Sequence, residues 1–301
     1  MPHALVVVNR TARGGAVQLQ AGMELLQAAG FSLTEIITDE PASIPILIGQ
    51  HRGNVDLVII GGGDGTFNTA APAVVDSGLP MGILPLGTAN DLARTLGIPP
   101  DIEQACRIIA AGTKRSIDIG EVNGHLFFNT ASIGLSVGVT HRLSPELKAR
   151  WGALAYARGG VAAWRGNQPF TADIDCDGQK LRHRSIQIAV GNGRHYGGGM
   201  TIAADAAIDD HLLNLYSLEP QSFWRLLALA PWLRRGEYHH RAGVKLMSGQ
   251  VIEIRTRRPL PIDTDGELTT QTPARFRVRA DAVDVFVPLS SLGKADVIAA
   301  H

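Results

Sequence analysis

Cysteine is scarce in this chain of 301 residues: Cys106 and Cys176 stand 70 positions apart with no CxxC pair. That excludes a disulfide framework and a thiolate zinc site, and leaves two ordinary reduced thiols. Net charge is also missing. The 28 Lys+Arg balance 28 Asp+Glu, which argues against a strongly basic nucleic-acid binder. No uncharged apolar stretch reaches the roughly 18 residues that a spanning helix needs, and the opening MPHALVVVNR has too short an apolar run for a signal peptide. The expected compartment is the cytoplasm. No regular repeat of about 20–50 residues and no low-complexity tract is visible. The G-x-S-x-G turn is absent, no Ser/His/Asp or Cys/His constellation stands out, and His239-His240 is not spaced as a helical metal pair. Hydrolases and metalloenzymes therefore rank low.

What is present is a hydrophobic fraction of 45% with 34 glycines, enough for one large α/β unit or two modest domains with their own cores. Up to about residue 120, β-rich runs at Ala4–Asn9, Leu33–Thr38, Val55–Ile60 and Met81–Leu84 alternate with helical patterns at Val17–Ala29, Phe67–Val75 and Ile102–Ala111. This alternation predicts a parallel sheet with helices on its faces, and ligands of such sheets bind beyond the carboxyl ends of the strands. Later runs at Thr171–Cys176, Arg184–Val190, Leu212–Ser217, Val251–Arg255, Phe276–Arg279 and Val283–Val287 predict an antiparallel sandwich or barrel-like second domain. Asp177-Gly178 reads there as a hairpin turn.

Two helical candidates remain in that half, Pro145–Trp164 and Gln221–Arg235. The second is apolar on most of its surface and closes on Arg234 and Arg235. A core helix fits it, and so does an interfacial element with Trp224 and Trp232 at a lipid boundary. The first 150 residues hold 10 Lys/Arg and 13 Asp/Glu, whereas the stretch Arg234–Arg258 has seven Lys/Arg against Glu237 and Glu253. The plain reading of that stretch is solvated faces; the alternative is an anionic membrane surface.

The run Val55–Ile60 leads straight into Gly61-Gly62-Gly63-Asp64-Gly65-Thr66 and then a helical pattern. Glycines without Cβ let the backbone turn sharply and approach phosphate oxygens, and the following helix adds the positive end of its dipole. The Lys-Ser/Thr of a P-loop and the GxGxxG fingerprint are both absent, and a tight strand-to-helix turn would look the same. A second turn, Pro85-Leu86-Gly87-Thr88-Ala89-Asn90-Asp91-Leu92-Ala93-Arg94, follows the next strand. Thr88 offers a hydroxyl to a phosphate, Asn90 can bridge backbone groups, and Asp91 can cap a helix or orient magnesium-bound water. Two such loops on adjacent strands converge on one crevice, to which the first loop adds Asn9 and Arg13-Gly14-Gly15.

GGGDGT at 61–66, PLGTANDLAR at 85–94, DIGEVNGHLFFNTASIG at 118–134, GNGRHYGGG at 191–199 and DTDGE at 263–267 together resemble the diacylglycerol-kinase catalytic family, of the soluble bacterial lipid-kinase type. The resemblance spans nearly the whole chain. It implies an α/β nucleotide-binding domain at 1–122, a β-sandwich substrate domain at 123–288, and a tail at 289–301 returning to the first. It also implies ATP and Mg2+ as cofactors, a lipid hydroxyl as acceptor, transient peripheral contact with a membrane surface and no nucleic-acid partner; a homodimer is left open.

By that resemblance the nucleotide site uses Arg10, Thr11, Ala12, Arg13, Gly14, Thr38, Gly62, Gly63, Asp64, Gly65, Thr66, Phe67, Asn68, Thr88 and Asn90. Asp265 and Glu267 resemble the catalytic acidic pair. A carboxylate on a tight glycine turn suits proton acceptance from a hydroxyl attacking a γ-phosphate; the plain reading of Asp265-Gly266 is a hairpin turn, as at Asp177-Gly178. Magnesium is implied at a loop with Asp210 as ligand and the carbonyls of Ala207 and Leu212 beside it. Asp64, Asp91 and Asp118 resemble a set that holds a magnesium–water network.

Three positions depart from the family pattern: Arg10 and Ala204 where proline is usual, and His211 where glycine usually follows Asp210. The last puts the magnesium loop in question if the position needs positive φ. Two rivals remain. One is a kinase of a soluble substrate of the NAD-kinase type, which shares GGDG; the other is a nucleotide-binding regulator that has lost turnover through His211.

Overall fold

The computed structural model describes residues 1–10, 16–135, 137, 168–193, 195–196, 200–201, 207–222 and 243–291. The chain forms two compact units, one of Met1–Ile119 together with the chain from Ala280 onward, the other of Gly120–Arg279. Pro145–Trp164, nearly all of Gln221–Arg235, the basic residues up to Arg241 and the glycine run 197–199 lie outside the described residues. Among the described residues, no helix is long and apolar enough to cross a membrane.

The first unit holds β1 (His3–Asn9), α1 (Ala16–Ala28), β2 (Ser32–Thr38), α2 (Ile44–His51), β3 (Leu57–Gly62), α3 (Asp64–Ser77), β4 (Met81–Pro85), α4 (Asp91–Thr95) and α5 (Ile102–Ala111), after which β5 (Lys114–Val122) runs into the second unit. The strands order β2-β1-β3-β4, all parallel. β3 and β4 are buried along their whole length and β1 along all but its first residue, as strands covered on both faces must be. β3 begins two residues later than the run Val55–Ile60 suggests. Asp56 is held outside it, its carboxylate accepting from the backbone N–H of His3 at 2.7 Å. α3 starts at Asp64 rather than Phe67, because the N–H groups of Thr66 and Phe67 both donate to the Gly63 carbonyl and make the glycine run the first helical turn.

The second unit continues with β6 (His125–Phe127), β7 (Thr130–Gly134), β8 (Phe170–Cys176), β9 (Gln179–Ser185), β10 (Gln187–Gly191), β11 (His195–Tyr196), β12 (Met200–Thr201), β13 (Leu213–Leu218), β14 (Val244–Gly249), β15 (Val251–Thr256), β16 (Pro261–Thr264), β17 (Glu267–Gln271) and β18 (Ala274–Phe286). One sheet has the order β18-β15-β8-β9 and the other β14-β13-β10-β7-β16-β17, antiparallel throughout. Their facing residues, among them Ile174, Ile252 and Phe276 from one sheet and Ile133, Val190 and Leu215 from the other, make one buried core. The fold class is thus an α/β unit with a mainly parallel sheet followed by an antiparallel sandwich. The expected run Arg184–Val190 is cut at Ile186 into β9 and β10, which belong to different sheets. The two runs expected near the C-terminus are one strand of 13 residues, β18, whose far end joins the first unit and pairs parallel with β4 through Val285 and Met81.

Candidate active site

In the first unit the carboxyl ends of the parallel strands carry the glycine loops. A Cβ on Gly87 would lie 2.5 Å from the Gly63 Cα, and one on Gly63 would lie 3.1 Å from the Gly87 Cα. The loops after β3 and β4 therefore touch backbone to backbone, a contact no larger residue permits. Asn90, at φ 49, shapes the second loop from inside: its Oδ1 accepts from Gly87 N–H and its Nδ2 donates to the Gly87 carbonyl, both at 2.9 Å. Thr88 is left exposed at the tip. Asp64 Oδ1 accepts from Leu92 N–H at 3.1 Å, which ties the first loop to the start of α4, and the buried Asp91 sits 3.5 Å from Arg94 Nη1. Asn9, at the end of β1, donates to Thr66 Oγ1 at 3.2 Å. The result is a backbone-lined cradle against a helix that begins at a glycine with no capping side chain, and it fits the phosphates of a nucleotide.

The other nucleotide-site residues are placed unevenly. Thr38 ends β2 with its hydroxyl in a local turn, accepting from Glu40 N–H and meeting Ser43 Oγ, both at 3.0 Å. Arg10 pairs with Asp39 in solvent at 3.4 Å. The Phe67 side chain is fully buried in the core, so only its backbone is available to a ligand. Asn68 is half-buried with Oδ1 unpartnered. Thr11, Ala12, Arg13 and Gly14 lie outside the described residues.

Of the three acids read as a magnesium–water set, Asp64 is tied to Leu92, the residue after Asp91. Asp118, on β5, accepts from Asp281 N–H at 2.9 Å, and the two carboxylates lie within 4.8 Å of one another. Asp281 carries no local signal that would have found it, since it stands 163 positions from its partner.

In the second unit Asp265 and Gly266 make the turn between β16 and β17, at φ 49 and φ 95. The Asp265 carboxylate accepts from three successive backbone N–H groups, those of Phe128 (2.8 Å), Asn129 (3.0 Å) and Thr130 (2.9 Å), which fix its direction and compensate its charge. Glu267 opens β17 in solvent. In the Ala207–Leu212 loop, the Asp210 carboxylate accepts from Ala207 N–H and Leu212 N–H, both at 3.0 Å. His211 takes φ 59, a left-handed conformation that costs an L-residue roughly 1–2 kcal/mol, and the turn closes with it. Carboxylate and carbonyl oxygens are the hard donors that magnesium prefers, so the donor set fits that ion.

Two other groups are electrostatically marked. Burial pushes the Glu121 carboxyl up, but hydrogen bonds from Arg277 (2.9 Å) and Arg279 (2.6 Å) and their charges outweigh it and hold it below its ordinary value. Burial, helped by Glu103 and Asp101, pushes the Cys106 thiol up to about 12, which removes it as a nucleophile.

The chain is thus a parallel α/β unit with glycine-lined loops, followed by an antiparallel sandwich with an amide-bound carboxylate on a turn. Residues 3–122 match the diacylglycerol kinase catalytic domain, and residues 129–287 match the YegS C-terminal NAD kinase beta sandwich-like domain. The chain belongs to this diacylglycerol kinase and YegS family of lipid kinases. It is 34% identical to a protein named "Probable lipid kinase YegS-like" from Klebsiella pneumoniae, over 71% of this chain and 73% of that one. It is 30% identical to the diacylglycerol kinase of Bacillus subtilis, over 73% and 74%. The crystal structure of a diacylglycerol kinase from Bacillus anthracis superposes with a TM-score of 0.82 at 24% identity, covering 97% of this chain and 99% of that one; at that identity it speaks for the fold.

Proposed function

We propose that this kinase transfers the γ-phosphoryl group of ATP, with Mg2+, to the hydroxyl of a lipid such as diacylglycerol. The observation that carries the reading is the Asp265 carboxylate, aimed by three amide N–H groups on a turn that lies within the residues matching the family's C-terminal domain. Bound ATP supplies the phosphoryl group, and Mg2+ neutralises its charge. Asp265 takes the proton of the attacking hydroxyl, and Glu267 adds negative charge beside it. The backbone at Gly62–Gly65, the first turn of α3 and the Thr88 hydroxyl hold phosphate oxygens, with Arg10, Thr38, Asn68 and residues 11–14 around the nucleotide. Asp210 and the carbonyls of Ala207 and Leu212 would hold a magnesium ion, and the separate set Asp64, Asp91 and Asp118 would hold a magnesium–water network near the nucleotide. The enzyme works at the cytoplasmic membrane surface by transient contact, because its acceptor resides there.

The test is incubation of the purified protein with labelled ATP and a total lipid extract, followed by identification of the labelled lipid. A labelled lipid hydroxyl supports the reading. Label transferred to NAD, or to no lipid at all, overturns it.

A further inference from the structure

Between β6 and β7 the chain bends at Phe128 and Asn129, and the N–H groups of Phe128, Asn129 and Thr130 converge there on the Asp265 carboxylate. Successive amides that converge in this way make a concavity for an anion. The peptide bonds 128–129 and 129–130 are trans, and in a planar trans peptide the C=O points opposite to the N–H of the same plane. With the Asn129 and Thr130 N–H groups turned to Asp265, the Phe128 and Asn129 carbonyls must face the other way. Each then needs a donor of its own.

One residue supplies both donors. Asn192, the residue after β10, donates its N–H to the Asn129 carbonyl at 3.0 Å and its Nδ2 to the Phe128 carbonyl at 3.1 Å. It is 1% exposed. A carbonyl only accepts, so the nitrogen end of the Asn192 amide is the end that meets Phe128. The backbone bond extends by one residue the β7–β10 ladder, in which Thr130 stands opposite Gly191, and almost any residue would make it. The side-chain bond belongs to asparagine. The peptide units 128–129 and 129–130 are thus gripped on both edges, by Asp265 on one and Asn192 on the other.

We propose that Asn192 is a positioning residue for phosphoryl transfer, holding through these two peptide units the amides that aim Asp265. The proposal rests on the kinase reading for the role of Asp265 as base. Without the Nδ2 bond the plane of peptide 128–129 is free to tilt, and the Asn129 N–H, which lies in that plane, turns off the carboxylate. The backbone N–H of residue 192 still holds the Asn129 carbonyl, so the Thr130 N–H stays in place. The carboxylate is then misdirected but not lost. A misplacement of about 1 Å costs up to about 10²-fold in rate, and with part of the cradle intact the expected loss is nearer ten-fold.

The test is a double-mutant cycle of Asn192→Ala and Asp265→Asn in the full-length protein, read as kcat and as KM for ATP in the labelled-ATP lipid assay. Asn192→Ala is expected to lower kcat about ten-fold and to leave KM for ATP within about two-fold of wild type. In the Asp265→Asn background the same substitution is expected to change kcat by less than about two-fold, because a residue that acts through another has nothing left to position. An asparagine that only supports the fold gives the same factor in both backgrounds. That outcome, a wild-type kcat in Asn192→Ala, or full turnover by Asp265→Asn overturns the proposal. If Asn192→Ala does not fold, Asn192→Ser, too short to reach the Phe128 carbonyl, takes its place. Hydrogen exchange at the Asn129 amide, followed by NMR, needs no turnover and is expected to be faster in the position-192 variant than in wild type. No labelled lipid from wild type, with that exchange pattern intact, refutes the kinase reading and keeps the clamp on Asp265. Labelled lipid with equal exchange does the reverse, and failure of both refutes both.

Discussion

Asp177-Gly178 and Asp265-Gly266 are the same dipeptide in the same hairpin turn, at φ 47 and 88 in one and φ 49 and 95 in the other. Each aspartate accepts backbone N–H groups from elsewhere in the chain: Asp177 from Gln250 (2.8 Å) and Val251 (2.9 Å), Asp265 from Phe128, Asn129 and Thr130. Both are therefore structural turns that pin a neighbouring segment. The surroundings differ. Asp177 is exposed, whereas Asp265 is bound by the segment that carries the buried, unpartnered Asn129 Oδ1 and Thr130 Oγ1. The turn supplies a fixed carboxylate in either place, but only at Asp265 do buried polar atoms without a partner lie on the segment it holds.

The sharpest way to break this comparison is to neutralise both aspartates. Asp265→Asn is expected to lower lipid phosphorylation by about 10²–10⁴-fold, the range for loss of a general base. Asp177→Asn is expected to leave turnover within about two-fold, with only the small stability loss of a weakened hydrogen bond. Initial rates with saturating ATP measure both, and equal losses would erase the distinction.

Glycines give the next contrast. Gly87→Ala places a Cβ 2.5 Å from the Gly63 Cα and is expected to weaken ATP binding at least about ten-fold, with roughly 1–3 kcal/mol lost from overpacking. Gly178→Ala meets nothing within 4 Å and is expected to cost only the roughly 1–2 kcal/mol of its positive φ, with ATP affinity unchanged. Calorimetric titration and denaturant melts separate the two.

The smallest effect concerns a carboxylate held by charge rather than by amides. Glu121 has its folded value lowered by Arg277 and Arg279, so its contribution to stability is present above the ordinary glutamate value of about 4.3. It is lost as pH falls through the lower folded value. Glu121→Gln is expected to melt below wild type at pH 7, with the gap closing toward about pH 3. Asp177→Asn, tested beside it, shows how a pair of amide bonds compares with an ion pair. A gap that widens on acidification would reverse the assigned sign.

Much of the fold was legible because it is local. The sequence pattern matches the helix Ile102–Ala111 to the residue, and β1, β2, β4 and α1 to within one residue at each end. Their apolar periodicity is strong and their ends carry turn residues. Asn123-Gly124, at φ 49 and 89, is a hairpin between β5 and β6, and Asn-Gly is among the strongest short-range turn signals. α2 was missed because its apolar residues follow no clear period. At the site, the glycine loops and the Asp265 turn were visible as motifs, but the partners of Asp265 and of Asp118 were not.

By itself the sequence determined the alternation of strand and helix, the change to antiparallel strands near residue 120, and the glycines that let two loops touch. Each of these depends on side-chain period or on the backbone freedom of single residues. Only the tertiary structure decided that Asp118 meets Asp281, that β18 serves both units, and that Asp265 and Asn192 grip the segment 128–130 from opposite edges. Those residues come from three separate turns and strand ends, and the register that aligns them is set by which faces bury apolar side chains in the sandwich core. A shift of one residue would turn every side chain of a strand to the opposite face, so the clamp exists only once the core has packed.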